Sequence, residues 1–199
     1  MPFLLLSSLA AREPQLSSYA ASKRAAEEAI ARRSGPWLAV RAPAVYGPGD
    51  RETLAYFKMA KRGFALQPDQ PQARLSLIHV EDLAEVLALV LDRSLPSGIL
   101  EIDDGHPGGY SHEDMAKAAA AALGRPVRSV PIGQGLMSAI ATVNCLRPGA
   151  QILTPNKVRE LFHADWTARG GGLPGFSARH ELQEGFDHTI LWYRSHRWL

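Results

Sequence analysis

Two kinds of hydrophobic pattern alternate along the first hundred residues. Short apolar runs recur at Phe3–Ser8, Trp37–Arg41, Leu75–Val80 and Ile99–Ile102. Such runs, with little polar alternation, are the pattern of strands buried on both faces of a parallel sheet. The stretches between them read as helices. One runs from a cap at Ser17 or Ser18 to about Arg33, rich in Ala, Glu, Lys and Arg, and Gly35-Pro36 ends it. A second spans Glu52 to Arg62, and Asp82 begins a third, the strongly apolar LAEVLALVLD. Phe64–Leu66 reads as a short strand, and the polar segment 67–73, with two prolines, as a loop. Strands alternating with helices predict an α/β fold with a parallel sheet.

Beyond residue 104 the pattern changes. Ser111 caps a helix that Gly124 ends, Val127–Ile132 is extended, and Leu136–Leu146 reads as helical. Thr154, with Pro155 at the first helical position, opens another helix. The glycine-rich segment 169–175 reads as a loop, and His180–Trp198 as a last amphipathic helix. Strands are scarce here. Residues 1–104 are therefore expected to form the sheet domain, with 52–73 an excursion from it. Residues 105–199 are expected to form a small, mostly helical lobe.

Composition narrows the class. The 199 residues are 46% hydrophobic, enough for a buried core. With 22 basic and 20 acidic residues the formal charge is +2, which gives no electrostatic case for nucleic acid or a membrane surface. The single cysteine, Cys145, excludes an internal disulfide and suits a reducing, cytoplasmic setting. The apolar start lacks the preceding positive charge of a signal peptide, and no run approaches the ~18 apolar residues of a membrane span. Seven histidines are scattered, and His112-Glu113 lacks a second histidine at metal spacing, so no metal site is expected.

Candidate chemistry lies in SSLAAREPQLSSYAASKRAAEE, from Ser7 to Glu28. On a helix, Tyr19 and Lys23 share a face one turn apart. A phenol with a reference pKa of about 10 is a poor proton donor at neutral pH, and a nearby ammonium favours its phenolate. A serine hydroxyl from the preceding strand can hold a substrate oxygen and orient the phenol. Such a trio suits proton transfer at a carbonyl or alcohol while a hydride moves on or off carbon.

Four blocks in order resemble the extended short-chain dehydrogenases/reductases, also called the NAD-dependent epimerase/dehydratase family. They are Ser7-Ser-Leu-Ala-Ala11, Tyr19-Ala-Ala-Ser-Lys23, Arg41-Ala-Pro-Ala-Val-Tyr-Gly-Pro-Gly-Asp50 and His79-Val-Glu-Asp82-Leu-Ala. The segment from Leu182 to Tyr193 is similar to the family's closing helix. The resemblance implies the C-terminal part of a Rossmann-type parallel sheet plus a substrate lobe. It implies Tyr19 as catalytic acid/base, and Lys23 as the lysine that tunes it and binds the nicotinamide ribose. Ser8 matches the substrate-orienting hydroxyl, with Ser7 its neighbouring competitor. Pro43, Ala44 and Val45 resemble the loop whose backbone lies against the nicotinamide amide. Arg74 sits near where nucleotide-sugar members place a phosphate-binding arginine. His79 is expected to be structural, with Asp82 capping its own helix.

The family binds the NAD or NADP pyrophosphate on a glycine-rich turn after its first strand, and no such turn precedes Phe3. The chain is thus expected to be a fragment, inactive alone, from an NAD(P)-dependent oxidoreductase acting on a carbonyl or alcohol of a small molecule. A nucleotide-sugar epimerase or dehydratase is the alternative enzyme; for a dehydratase, Leu9-Ala10-Ala11 offers no acid after the serines. The rival of another class is a non-catalytic remnant that binds a partner through its sheet edge. An uncovered apolar edge strand can also recruit a second copy, so a homodimer is among the expectations.

Overall fold

The computed structural model describes residues 3–92, 96–145, 153–170 and 172–199. Three parallel strands, β1 (Phe3–Ser8), β2 (Trp37–Ala42) and β7 (Gly98–Glu101), form a sheet in the order β1-β2-β7. Helix α1 (Ser18–Ala31) connects the first two and packs on β1. Ser17 caps it, its Oγ accepting the Ala20 N–H at 2.9 Å. The register runs from Phe3 opposite Trp37 to Ser8 opposite Ala42. β1 is an edge of the sheet among the described residues, and Phe3 and Leu6 on it are exposed.

β3 (Ala44–Tyr46) pairs with β6 (Leu77–His79), and helix α3 (Val80–Asp92) follows. Val40, Ala42, Ile78, Leu83, Val86 and Ile102 make one core between sheet and helix. Helix α2 (Glu52–Ala60) leads to β4 (Phe64–Pro68), which pairs in parallel with β8 (Arg128–Ile132). The short β5 (Arg74–Leu75) pairs with β9 (Asp165–Trp166). Residues 52–75 therefore pack with the later half of the chain. Helix α4 (His112–Leu123) carries a reciprocal Ser111–Asp114 cap and ends at Gly124 with φ +67°. Helices α5 (Gln134–Cys145), α6 (Pro155–Leu161) and α7 (Leu182–Ser195) complete the lobe. Leu146, placed in a helix by sequence, lies outside the described residues. No described helix is long and apolar enough to cross a membrane.

Two expectations need correction. The run Leu75–Val80 is not one strand. At Ser76 the chain leaves its pairing with β9 and turns to β3, and the Ser76 hydroxyl donates to Asp103 at 2.6 Å. Nor does Asp82 cap its own helix, which starts two residues earlier at Val80. Its fully buried carboxylate accepts the N–H groups of Arg179 and His180, at 3.1 and 3.0 Å. It thus ties α3 to the segment that enters α7.

A second core joins the two halves of the chain: Tyr46, Phe57, Leu77, Phe186, Ile190 and Tyr193. Tyr46 packs edge-on against Phe186 at 5.3 Å. Gly185 faces the Tyr46 ring so closely that a Cβ there would lie 2.8 Å from two ring carbons and closer to the hydroxyl. The buried Tyr46 hydroxyl has no hydrogen-bond partner among the described residues. Two opposite outcomes are expected in urea unfolding. Gly185→Ala forces the ring aside and lowers stability by about 1–3 kcal/mol. Tyr46→Phe removes an unsatisfied buried hydroxyl and leaves stability equal or higher.

Candidate active site

β1 ends at the serine pair, and alternation along a strand sends the two side chains to opposite faces. Ser7 is buried, and its hydroxyl donates to Glu27 on α1 at 2.5 Å. Glu27 accepts from Arg41 at the end of β2, from Nε at 2.9 Å and Nη2 at 2.8 Å. Arg41 also reaches Glu101 on β7 at 3.1 Å. The other Glu101 oxygen meets Arg12 at 3.4 Å and the Arg169 N–H at 2.9 Å. Arg12 donates further to the carbonyls of Thr167 and Asp165. Burial alone pushes the Glu27 carboxyl up, but the bonds from Arg41 and Ser7 outweigh it and the net direction is down. Arg41 is pushed up, chiefly by its bonds to Glu27.

The Ser7 proton is thus committed to the framework. Ser8 is partly exposed and caps the 3-10 turn Leu9–Arg12, accepting the Ala10 N–H at 3.2 Å. Its own proton remains to donate. Tyr19 lies in the first turn of α1 and is 50% exposed. One turn on, the Lys23 ammonium donates to the Leu6 carbonyl of β1 at 3.1 Å and lies 5.7 Å from the Tyr19 ring centroid. An ammonium has three donors, so two are left over. Because Ser8 lies opposite Ala42, the segment Pro43–Val45 follows β2 at the same end of the sheet as Ser8. There Pro43 is buried, Ala44 exposed and Val45 half-buried. The structure brings Ser8, Lys23 and residues 43–45 to that end. Arg74 is exposed, and its guanidinium donates to Pro71 and Ala73 of its own loop.

Sequence reasoning missed the ion chain beside Ser8. The available signal was spacing: Tyr19, Lys23 and Glu27 are successive fourth residues and share one helix face. It also missed a histidine cluster. His79, Glu81, His180 and His188 each bring a ligand-type atom within 4.8 Å of the others. The rings of His79 and His180 stack at 3.9 Å, and those of His180 and His188 lie 12° from parallel. The buried His79 Nε2 and His188 Nδ1 have no hydrogen-bond partner among the described residues. Burial, then His180, pushes His79 down to about 4.

The residues at the sheet end fit the nicotinamide end of a dinucleotide. Tyr19 is half-exposed, Lys23 has two N–H donors without a partner among the described residues, and Ala44 is exposed.

Buried and exposed charges should respond differently to substitution. Arg41→Met leaves Glu27 and Glu101 without their shared partner and is expected to cost about 3–5 kcal/mol in urea unfolding. Arg24→Ala breaks only the exposed pair with Glu28 and is expected to cost under about 1 kcal/mol. For His79, the unfolded chain takes a proton near pH 6.5 and the folded chain only near 4. The unfolded state therefore binds more protons in that window, and stability falls as pH falls through it, by on the order of 2 kcal/mol. A urea-midpoint profile against pH checks this: His79→Gln flattens that limb whatever its effect at neutral pH.

Residues 7–102 match the model of the NAD dependent epimerase/dehydratase family. The chain is 40% identical, over 202 residues, to a ceramide reductase of Caulobacter vibrioides (strain NA1000 / CB15N), covering 99% of this chain and 63% of that protein. Its fold is similar to that of Thermus thermophilus UDP-glucose 4-epimerase in complex with NAD. That match has a TM-score of 0.63 at 22% identity over 97% of this chain and 64% of the epimerase. The Bordetella bronchiseptica enzyme WbmG, in complex with NAD and UDP, gives 0.63 at 16% identity over 98% of this chain and 60% of that one. The chain spans less than two thirds of each of these relatives. The span that matches this family's model contains Ser8, Tyr19, Lys23 and residues 43–45, and members of that family bind NAD(P).

Proposed function

We propose that this chain carries the catalytic end and the substrate lobe of an NAD(P)H-dependent reductase that acts on a carbonyl of a long-chain lipid. The observation that carries the reaction type is the Lys23 ammonium, held between β1 and the Tyr19 ring at the end of the sheet that bears Ser8. The lipid class is supported by the 40% identity to a ceramide reductase. The sheet domain is read as residues 1–104 and the lobe as 105–199.

When bound, the nicotinamide supplies the hydride. The Tyr19 phenol gives its proton to the carbonyl oxygen. The Ser8 hydroxyl donates to the same oxygen and fixes its position. Lys23 keeps a positive charge beside the phenolate that the proton leaves behind. Its remaining N–H groups suit the ribose hydroxyls, and the 43–45 backbone suits the carboxamide. The nucleotide-sugar reading is the alternative: Arg74 is exposed, and only its Nη1 donates to its own loop. The exposed edge at Phe3 and Leu6 supports a homodimer through β1. The lone cysteine supports a cytoplasmic setting.

Joined to the part of the ceramide reductase that this chain does not cover, the 199 residues are expected to oxidise NADPH or NADH with a detergent-dispersed long-chain keto-lipid. Tyr19→Phe in that chimera should lower kcat about 10²–10⁴-fold. Lys23→Met should lower it as well, with a higher KM for the cofactor. A chimera that binds cofactor and turns over nucleotide sugars but no lipid ketone overturns the reading. Equal rates in the Tyr19→Phe variant do the same.

A further inference from the structure

The lobe carries an apolar surface that the site does not use. In the β4–β8 pair Phe64 lies opposite Arg128, Leu66 opposite Val130 and Pro68 opposite Ile132. Paired residues share a face of the ribbon. On this face Phe64, Leu66, Arg128 and Val130 are exposed, while Ala65 on the other is buried. Ile132, two residues beyond Val130, packs against Met137, Ala141 and Val158 of α5 and α6. The ribbon face therefore runs into α5. There Leu136, Ile140 and Val143 follow spacings of four and three and form one stripe. Leu136 is 62% and Val143 58% exposed, whereas Met137 and Ala141 hold the helix to the lobe.

Charge around this surface is sorted along the ribbon: the exposed Asp69, whose N–H donates to the Ile132 carbonyl, lies at the end away from the cations. From Ser129 to Cys145 the sequence has no Asp, Glu, Lys or Arg. Cationic residues gather instead at the N-terminal end of the ribbon. Lys58, Lys61, Arg62 and Arg125 line a cleft of about 410 Å³ beside Trp198 and Leu199, and Arg128 is exposed on the ribbon itself. Exposed apolar residues rimmed by cationic ones, next to an amphipathic helix with an uncharged polar side, match the chemistry of an anionic lipid interface.

We propose that this face docks on an anionic bilayer. α5 lies in the interface with Leu136, Ile140 and Val143 toward the acyl chains, and the cationic cluster meets the headgroup phosphates. The choice of a bilayer over a protein partner rests on the reading of the substrate as a long-chain lipid.

Flotation of the purified chain with vesicles tests it. Wild type is expected to float with phosphatidylcholine vesicles containing about 30% phosphatidylglycerol, and far less with phosphatidylcholine alone or in about 0.5 M salt. Leu136→Ser/Val143→Ser should lower the bound fraction at least tenfold. Lys61→Glu/Arg62→Glu should remove the preference for anionic vesicles, and Arg32→Glu/Arg33→Glu, just past the end of α1, should change nothing. All these positions are exposed, and circular dichroism checks that each variant keeps its helix content. Wild type that floats with no vesicle overturns the proposal, as does a Leu136→Ser/Val143→Ser variant that binds like wild type. Self-association lost in that variant without vesicle binding makes the face a contact between copies and overturns it equally. None of these failures touches the redox reading, which is scored on detergent-dispersed substrate without vesicles.

Discussion

The chain of charges Glu27–Arg41–Glu101–Arg12 holds the end of the sheet where the candidate site lies. It links α1, β2, β7, the 3-10 turn after β1 and the backbone of residues 165–169. All four side chains are nearly excluded from water. Charges in that setting stay ionised only when each has partners of opposite sign and correct geometry. The alternation of sign provides this, and Ser7 adds a further donor to Glu27. The constraint reaches the chemistry. Because Ser7 must face inward to complete the chain, strand alternation turns Ser8 the other way, leaving its proton to donate. The exposure of one serine follows from the burial of the other.

The local pattern made the sheet legible. Phe3–Ser8 and Trp37–Arg41 read as continuous apolar runs, and both are parallel strands. Capping was legible too, because Ser17, Ser111 and Thr154 each accept a bond from their own helix within three residues. What failed were features whose partner is distant in sequence. Asp82 looked like a cap because its helix is adjacent, yet its partners are 97 and 98 residues away. Nothing local marks Glu27, on a helix rich in Ala, Glu, Lys and Arg, as the mate of Arg41 and Ser7. Leu75–Val80 looked like one strand because side-chain pattern is blind to a change of pairing partner at Ser76.

The link between the sheet and the later half of the chain is apolar where the sheet end is ionic. Tyr46, on the strand that follows Pro43, is wedged among His79, Phe186 and Gly185. Its hydroxyl gains nothing there, so the ring is held by packing rather than by hydrogen bonding. Tyr193 on α7 donates to the Asp50 carbonyl at 2.5 Å and contacts Thr53 at 3.1 Å, fixing the loop between β3 and α2. The loop beside the proposed nicotinamide site is thus followed by a strand clamped by α7 on one side and β6 on the other. A rearrangement of α7 would be felt at Pro43–Val45 through Tyr46, with no direct contact needed.

Net charge is a poor guide to the surfaces of such a chain. A formal +2 spread evenly would attract nothing. Here cations concentrate at one end of the β4–β8 ribbon and seventeen consecutive residues, Ser129 to Cys145, carry no acidic or basic side chain. That segregation has a cost for a protein surrounded only by water, because exposed Leu136, Ile140 and Val143 raise the risk of non-specific association. The proposed lipid substrate changes the balance. Molecules with long acyl chains are nearly absent from bulk water as monomers, since each methylene adds about 0.8 kcal/mol to their preference for the bilayer. An enzyme that waits in solution for such a substrate is limited by its escape from the membrane. One that rests on the interface meets it at the concentration of the lipid phase. An apolar stripe without charge, beside a cationic rim, is what that arrangement requires.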